Sequence, residues 1–281
     1  MTDKIAILTD SGCDIPPALR KLHKIYRLPL TLIFKDALYR DGEISAEELY
    51  GKMEKEIPTT TLPSGADVEQ MLQQIHADGY DKVLAVSISS RLSGTCNLLN
   101  LHEKSQAGLE MAVVDSRNIS IGAGMLALNA AKYLEQGIPW AGLKERLLKE
   151  VQNSKVFFCL KTLEYLLHGG RIGHVSALLG SALKIKPIIT CDTEGVYTTA
   201  AKVIGYKHAL QRLSECAKQF AAEAPVRIAI MHGAAAAEAV QVKERVLSLL
   251  PQAKVVAEGQ ISPALAVHTG PGLVGVGLML G

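Results

Sequence analysis

The chain has 281 residues, enough for two domains or one large one. Its charge is close to balance, 30 Lys and Arg against 28 Asp and Glu, so nucleic acid and anionic membrane surfaces are not expected partners. Apolar residues make up 48% but aromatic ones only 5%, which predicts a core of Leu, Ile, Val and Ala. The five cysteines (Cys13, Cys96, Cys159, Cys191, Cys216) are scattered with no C-x-x-C pair, as in a cytoplasmic protein with buried reduced thiols. The start, MTDKIAILTD, has acids too early and an apolar run too short for a signal peptide.

In chain order, Lys4 to Thr9 reads as a buried strand ending in the turn TDSGCDIPP, with Pro16 and Pro17 suited to a first helical turn. Tyr26 to Phe34 alternates as a second strand. Asp41-Gly42 marks a turn, and Ser45 with Glu48 is a capping box opening a helix from Ala46 to Glu56. In IPTTTLPSG, three threonines stand between Pro58 and Pro63, so Thr60 and Thr61 are expected to be extended, hydroxyls outward. A helix follows from about Ala66 to Ala77.

The next stretch, VLAVSISSRLSGT (83–95), organises the chain. A β-branched run stops at Ser87, Ser89, Ser90, Ser93 and Thr95, and a helix follows from about Thr95. Hydroxyls and helix-terminal N–H groups there donate toward one point, as an anion site requires. Taken alone, the same hydroxyls also read as helix caps. Met111 to Val114 is another strand, followed by helices near 120–135 and 140–152. Strand, turn and helix alternate, which predicts a largely parallel three-layer α/β sheet with ligands at the carboxyl ends of its strands. Asp10, Ser93 and Asp115 sit at such ends.

The second half reads as an α+β domain with a mixed sheet, giving domains 1–153 and 154–281. Val156 to Leu160 is a strand, LEYLLHGG ends a helix, and LKIKPIITCDTEGVYTTAAKVIG predicts strands turning at Thr193-Glu194-Gly195. Helices near 206–223 and 235–250 flank strands at Arg227–Met231 and Lys254–Ala257. From Gly259 to Gly281 there is no charged Lys, Arg, Asp or Glu, but six glycines and two prolines argue against an integral membrane segment. A Gly-rich loop and a buried terminal strand are expected instead.

Familiar motifs fail on context. GPGLVGVG matches G-x-G-x-x-G, but no helix can follow it within the remaining residues. Ser93 lacks the preceding glycine of a nucleophile elbow, since Arg91 stands there. No metal site is expected, because His102-Glu103 has no second histidine at helical spacing. His268, in AVHTGPG, lies where a ring can point into a cleft, and a nearby anion would favour its charged form.

TDSGCDIP, TTTLPSG, ISSRLSGT, VVDSRNISIGAG, LEYLLHGGRI, LKIKPII and HTGPGLVGVG occur in that order. Together they resemble the DegV family of bacterial fatty-acid-binding proteins, which includes binding subunits of fatty-acid kinase, from residue 4 to the terminus. The resemblance implies one long-chain fatty acid in an apolar tunnel at and near the domain interface. Its carboxylate would be held by Thr61, Ser93, the Gly94 amide and His268, with no cofactor and no catalysis by this chain. A separate kinase subunit would receive the carboxylate, with Arg171 on the face used for the handover; Arg171 also reads as a helix C-terminal charge answering the dipole. Two positions depart from the family pattern: Leu62 replaces a usual glutamine, and Ile204 stands where a basic residue is common. On the residues alone a serine hydrolase stays open, with Ser93 as nucleophile, His268 as base and Asp115 or Asp10 as orienter. A small-anion sensor using the same loop is a third reading.

Overall fold

The computed structural model describes residues 3–103, 109–178 and 185–281. The chain starts with β1 (Ile5–Asp10), α1 (Pro17–Leu22), β2 (Ile25–Leu28), β3 (Thr31–Ile33), β4 (Leu38–Arg40) and α2 (Ala46–Met53). It continues through β5 (Thr59–Thr61), α3 (Gly65–Ala77), β6 (Lys82–Ser87), α4 (Thr95–Glu103), β7 (Glu110–Asp115), α5 (Ile121–Glu135) and α6 (Leu143–Glu150). Strands β2-β1-β6-β7 form a wholly parallel sheet. The predicted capping box is present: Ser45 Oγ accepts from the Glu48 N–H at 3.2 Å, and the Glu48 carboxylate accepts from the Ser45 N–H at 2.9 Å.

The stretch from Tyr26 to Phe34 is not one strand. Pro29 has no N–H with which to continue a ladder. The chain divides there: β2 stays beside β1, while β3 joins β4 and β5 in a separate antiparallel sheet. That small sheet presents the threonines of β5.

The second half supplies β8 (Ser154–Cys159), α7 (Glu164–His168), β9 (Ile185–Cys191), β10 (Tyr197–Ile204), α8 (Tyr206–Ala221), β11 (Val226–Gly233), α9 (Ala236–Leu249), β12 (Lys254–Gln260), α10 (Pro263–Thr269) and β13 (Leu273–Leu280). Its sheet, in the order β10-β9-β8-β13-β11-β12, is antiparallel except between β11 and β12. Leu183 and Lys184 of LKIKPII lie outside the described residues, and Ile185 onward is the expected strand. The terminal strand is central rather than peripheral.

Helix α10 replaces part of the expected Gly-rich loop. Pro263 opens it, and two buried carboxylates accept its first free amides: Asp14 from Ser262 N–H at 2.9 Å, Asp41 from Ala264 N–H at 3.3 Å. Both acids are more than 220 residues earlier in the chain. No local pattern over seven residues could reveal a helix stabilised from that distance.

Strand alternation sorts the parallel sheet into two faces. Leu8, Val83, Ala85 and Val113 pack with Val68, Leu72 and Leu99 of α3 and α4, while Ile7, Leu84, Val86 and Val114 turn toward α5. α5 is buried on every side from Ile121 to Ala131, because it lies between the two large sheets. Gly124 allows this closeness, since a Cβ there would stand 2.4 Å from the Cys13 carbonyl oxygen. The far face of the mixed sheet is covered by α8 and α9. Among the described residues no helix is long and apolar enough to cross a membrane.

Candidate functional site

The space between the two large sheets is not filled at the N-terminal end of α5, where a cavity of about 260 Å³ remains. The cause lies in β13. Leu273, Gly275, Gly277 and Met279 point to the α5 side of the strand, and two of these four carry no side chain. Gly275 and Gly277 therefore line the cavity beside Val156 and Phe158 of β8 and Ile121 of α5. The glycine pattern that mimics a dinucleotide motif is what leaves the room.

At one end the wall turns polar and reaches solvent. Gly94 is exposed and Leu62 is 38% exposed, whereas Ile121, Val156 and Phe158 at the other end are buried. Thr61, Ser93, Gly94, His268 and Arg171, from four separate segments, all line this one cavity. Ile204 is exposed on β10 and does not line it.

The loop bearing Ser93 is held from several sides. Asp10, buried at the end of β1, accepts N–H groups from Gly12 and Ile88, both at 2.9 Å. Burial pushes its pKa up to about 6, with those two hydrogen bonds acting against the rise. Asp115 accepts from Arg117 N–H at 2.9 Å and, at longer range, from Ser90 N–H. Ser89 Oγ donates to the Gly195 carbonyl at 2.8 Å, tying the loop to the β9–β10 turn. Ser93 Oγ pairs with Thr95 Oγ1 at 2.9 Å and accepts from the Thr95 N–H at 3.3 Å. The capping role of the hydroxyls is thus present, and Ser93 still lines the cavity.

His268 sits in the last turn of α10, with Nε2 2.6 Å from Thr60 Oγ1. Its Nδ1 is buried and has no hydrogen-bond partner among the described residues. Close approach requires Gly169, where a Cβ would fall 2.0 Å from Nδ1. Burial pulls the ring's pKa down to about 4, and the positive charges of Arg171 and His168 add to this. The ring is therefore neutral at pH 7. A carboxylate brought against it would shift the balance back toward the cation.

Arg171 follows the end of α7. One of its terminal nitrogens donates to the Gly169 carbonyl at 2.6 Å and Nε to the Leu92 carbonyl at 3.4 Å. The helix-end reading is met by the first bond, and the second ties the guanidinium to the Ser93 loop at the cavity mouth.

A hydrolase arrangement is not assembled. Ser93 is engaged with Thr95, His268 with Thr60, and the carboxylates of Asp10 and Asp115 hold backbone amides. Thr60, Ser120 and Tyr197 line the cavity and carry no expectation from the sequence there, and Gly169 packs against the His268 ring. For Thr60 a signal existed in the proline-bracketed threonines; its partner lies 208 residues away.

The fold and cavity define a class: an α/β protein with an enclosed apolar chamber and a hydroxyl-lined mouth. The model of the DegV family, described as uncharacterised proteins, matches residues 4–280. A DegV domain-containing protein of Clostridium acetobutylicum is 39% identical over 275 residues, covering 98% of each chain. A second, from Clostridium perfringens, is 36% identical over 278 residues, again 98% of each. The chain belongs to the DegV family. Among solved structures, a DegV family protein of Thermus thermophilus described for fatty acid binding superposes with a TM-score of 0.92 at 29% identity, covering 99% of both chains. DegV of Bacillus subtilis, described as a fatty acid binding protein, gives 0.90 at 26% identity over the whole of both chains.

Proposed function

We propose that this protein binds one long-chain fatty acid in the cavity and is a carrier rather than an enzyme. The observation that carries this reading is how the cavity is walled: mostly apolar and buried within, with hydroxyl, imidazole and guanidinium groups gathered where it opens. About sixteen carbons at ~0.8 kcal/mol per buried methylene offer roughly 12 kcal/mol before ordering costs. The ionised head then needs several donors in a partly dry mouth. Thr61 and Ser93 hydroxyls, the Gly94 amide and the His268 ring would supply them. Fatty acid binding by the Thermus and Bacillus relatives supports the same reading.

With the carboxylate at the exposed end, the head group is available to a second protein while the chain stays covered. We infer presentation to a separate kinase subunit that forms the acyl phosphate, with Arg171 at the rim as a contact. Five buried free thiols fit a reducing compartment, and we place the protein in the bacterial cytoplasm. The test is direct: denature the purified protein and measure the organic extract by mass spectrometry. One fatty acid per chain is expected, and an extract without fatty acid overturns the carrier reading.

A further inference from the structure

A second polar point lies along the cavity, away from the mouth. Ser120 lines the wall at the start of α5 with φ 53° and ψ −145°, a backbone conformation costly for any residue but glycine. It stands at the N-cap position yet its side chain caps no helical amide. Instead its hydroxyl donates to Asp14 at 2.5 Å. That bond uses the Ser120 proton and leaves the oxygen's remaining lone-pair capacity toward the cavity. Strain borne by a serine, where glycine would relieve it, points to use of the side chain.

Tyr197 lines the same cavity and is 5% exposed, its ring edge-on to Phe158 at 5.3 Å between centroids. Among the described residues nothing hydrogen-bonds its hydroxyl. Burial, with Cys191 and Asp14 adding, keeps the phenol protonated, so it remains a donor. Asp14 thus has Ser120 bonded to it and Tyr197 within electrostatic reach. A hydroxyl left to the cavity loses its water when a chain fills that space, and a plain hydrocarbon chain does nothing for it.

Helix α10 measures the separation. Asp14 holds Ser262 at one end and His268 closes the other, six residues on, which at ~1.5 Å per residue is about 9 Å. Ser120, joined to that first end through Asp14, therefore stands beside the middle of a long chain whose carboxylate sits at the mouth, and Tyr197 lines the same cavity. We propose that the preferred ligand is a long-chain fatty acid with a hydroxyl group near mid-chain, donating to Ser120 and accepting from Tyr197. This rests on the carrier reading and narrows it to a substrate class.

The experiment is a competition. Full-length protein, freed of endogenous lipid on a hydrophobic resin, is offered stearic acid together with hydroxystearic acids bearing the hydroxyl at carbon 2, at mid-chain or at the chain end. Retained lipid is measured by mass spectrometry. The mid-chain hydroxy acid should be retained about five- to tenfold over stearic acid, the worth of one net hydrogen bond. The other isomers should gain nothing. Tyr197→Phe should abolish the preference while keeping stearic acid, and Ser120→Ala should do the same if it folds. Retention of stearic acid equal to or above the mid-chain isomer overturns this inference and leaves the carrier reading standing. Retention of no fatty acid overturns both.

Discussion

The two ends of α10 hold the cavity in opposite ways. At the mouth, His268 is a neutral ring resting on Gly169 and Thr60, among hydroxyls that reach solvent. At the inner end, Asp14 and Asp41 are buried acids that hold the helix's first amides. The mouth is made by bringing donors together from distant segments. The chamber is made by leaving side chains out, at Gly275 and Gly277. On the proposed carrier reading, head-group binding and chain selection would then depend on different residues and could be broken separately.

The largest effect is expected at the mouth. Thr61→Ala with Ser93→Ala removes two donors to a charged group, each worth about 1.5–3 kcal/mol. Fatty acid retention should fall by about 100-fold or more while the circular dichroism spectrum and melting transition persist. Unchanged retention would place the carboxylate elsewhere.

Next comes the chamber. A Cβ at Gly275 would meet Phe158 Cβ at 3.4 Å and the Phe157 carbonyl at 3.5 Å, close to ordinary contacts, so Gly275→Leu has room at its root. Its side chain then occupies cavity space. In a close-packed interior the bound acids should shorten by about four carbons with total occupancy retained. An unaltered chain-length profile in the extract would mean that β13 does not set the end of the chamber.

Much of this was legible in the chain. The parallel sheet follows from period-two apolar runs ending in turn residues, and the capping box of α2 is local chemistry that the sequence shows directly. Thr61, Ser93, Gly94 and His268 could be named because motif order carried a family resemblance; no spacing rule joins residues 61 and 268. What stayed hidden depends on distant partners. α10 is capped by Asp14 and Asp41, Thr60 becomes a site residue only through His268, and Ser120 is distinguished by a backbone angle. The glycines of GPGLVGVG were visible, but their purpose appears only once β13 lies opposite α5.

The smallest effect is the one that separates the ends of α10 by pH. Burial raises the Asp14 pKa to about 7 against the bonds from Ser120 and Ser262, and raises Asp41 as well. A raised folded-state pKa gives stability that is fully present below the ordinary value of 3.8 and lost as pH rises through about 7. His268 runs the other way: its contribution is present above 6.5 and is lost as pH falls through about 4. The two windows overlap between about pH 4 and pH 6.5, where the contributions oppose each other, so each is read from the urea midpoints of a variant set against the parent's from pH 4 to pH 8. Asp14→Asn keeps an oxygen to accept the Ser262 amide but cannot ionise, so its midpoint should gain on the parent's as pH rises from 4 through 7, with Asp10 and Asp41 keeping a decline of their own. His268→Gln should gain on the parent as pH falls from 6.5 through 4. An Asp14→Asn protein whose midpoints run parallel to the parent's across this range would show that this acid folds with an ordinary pKa.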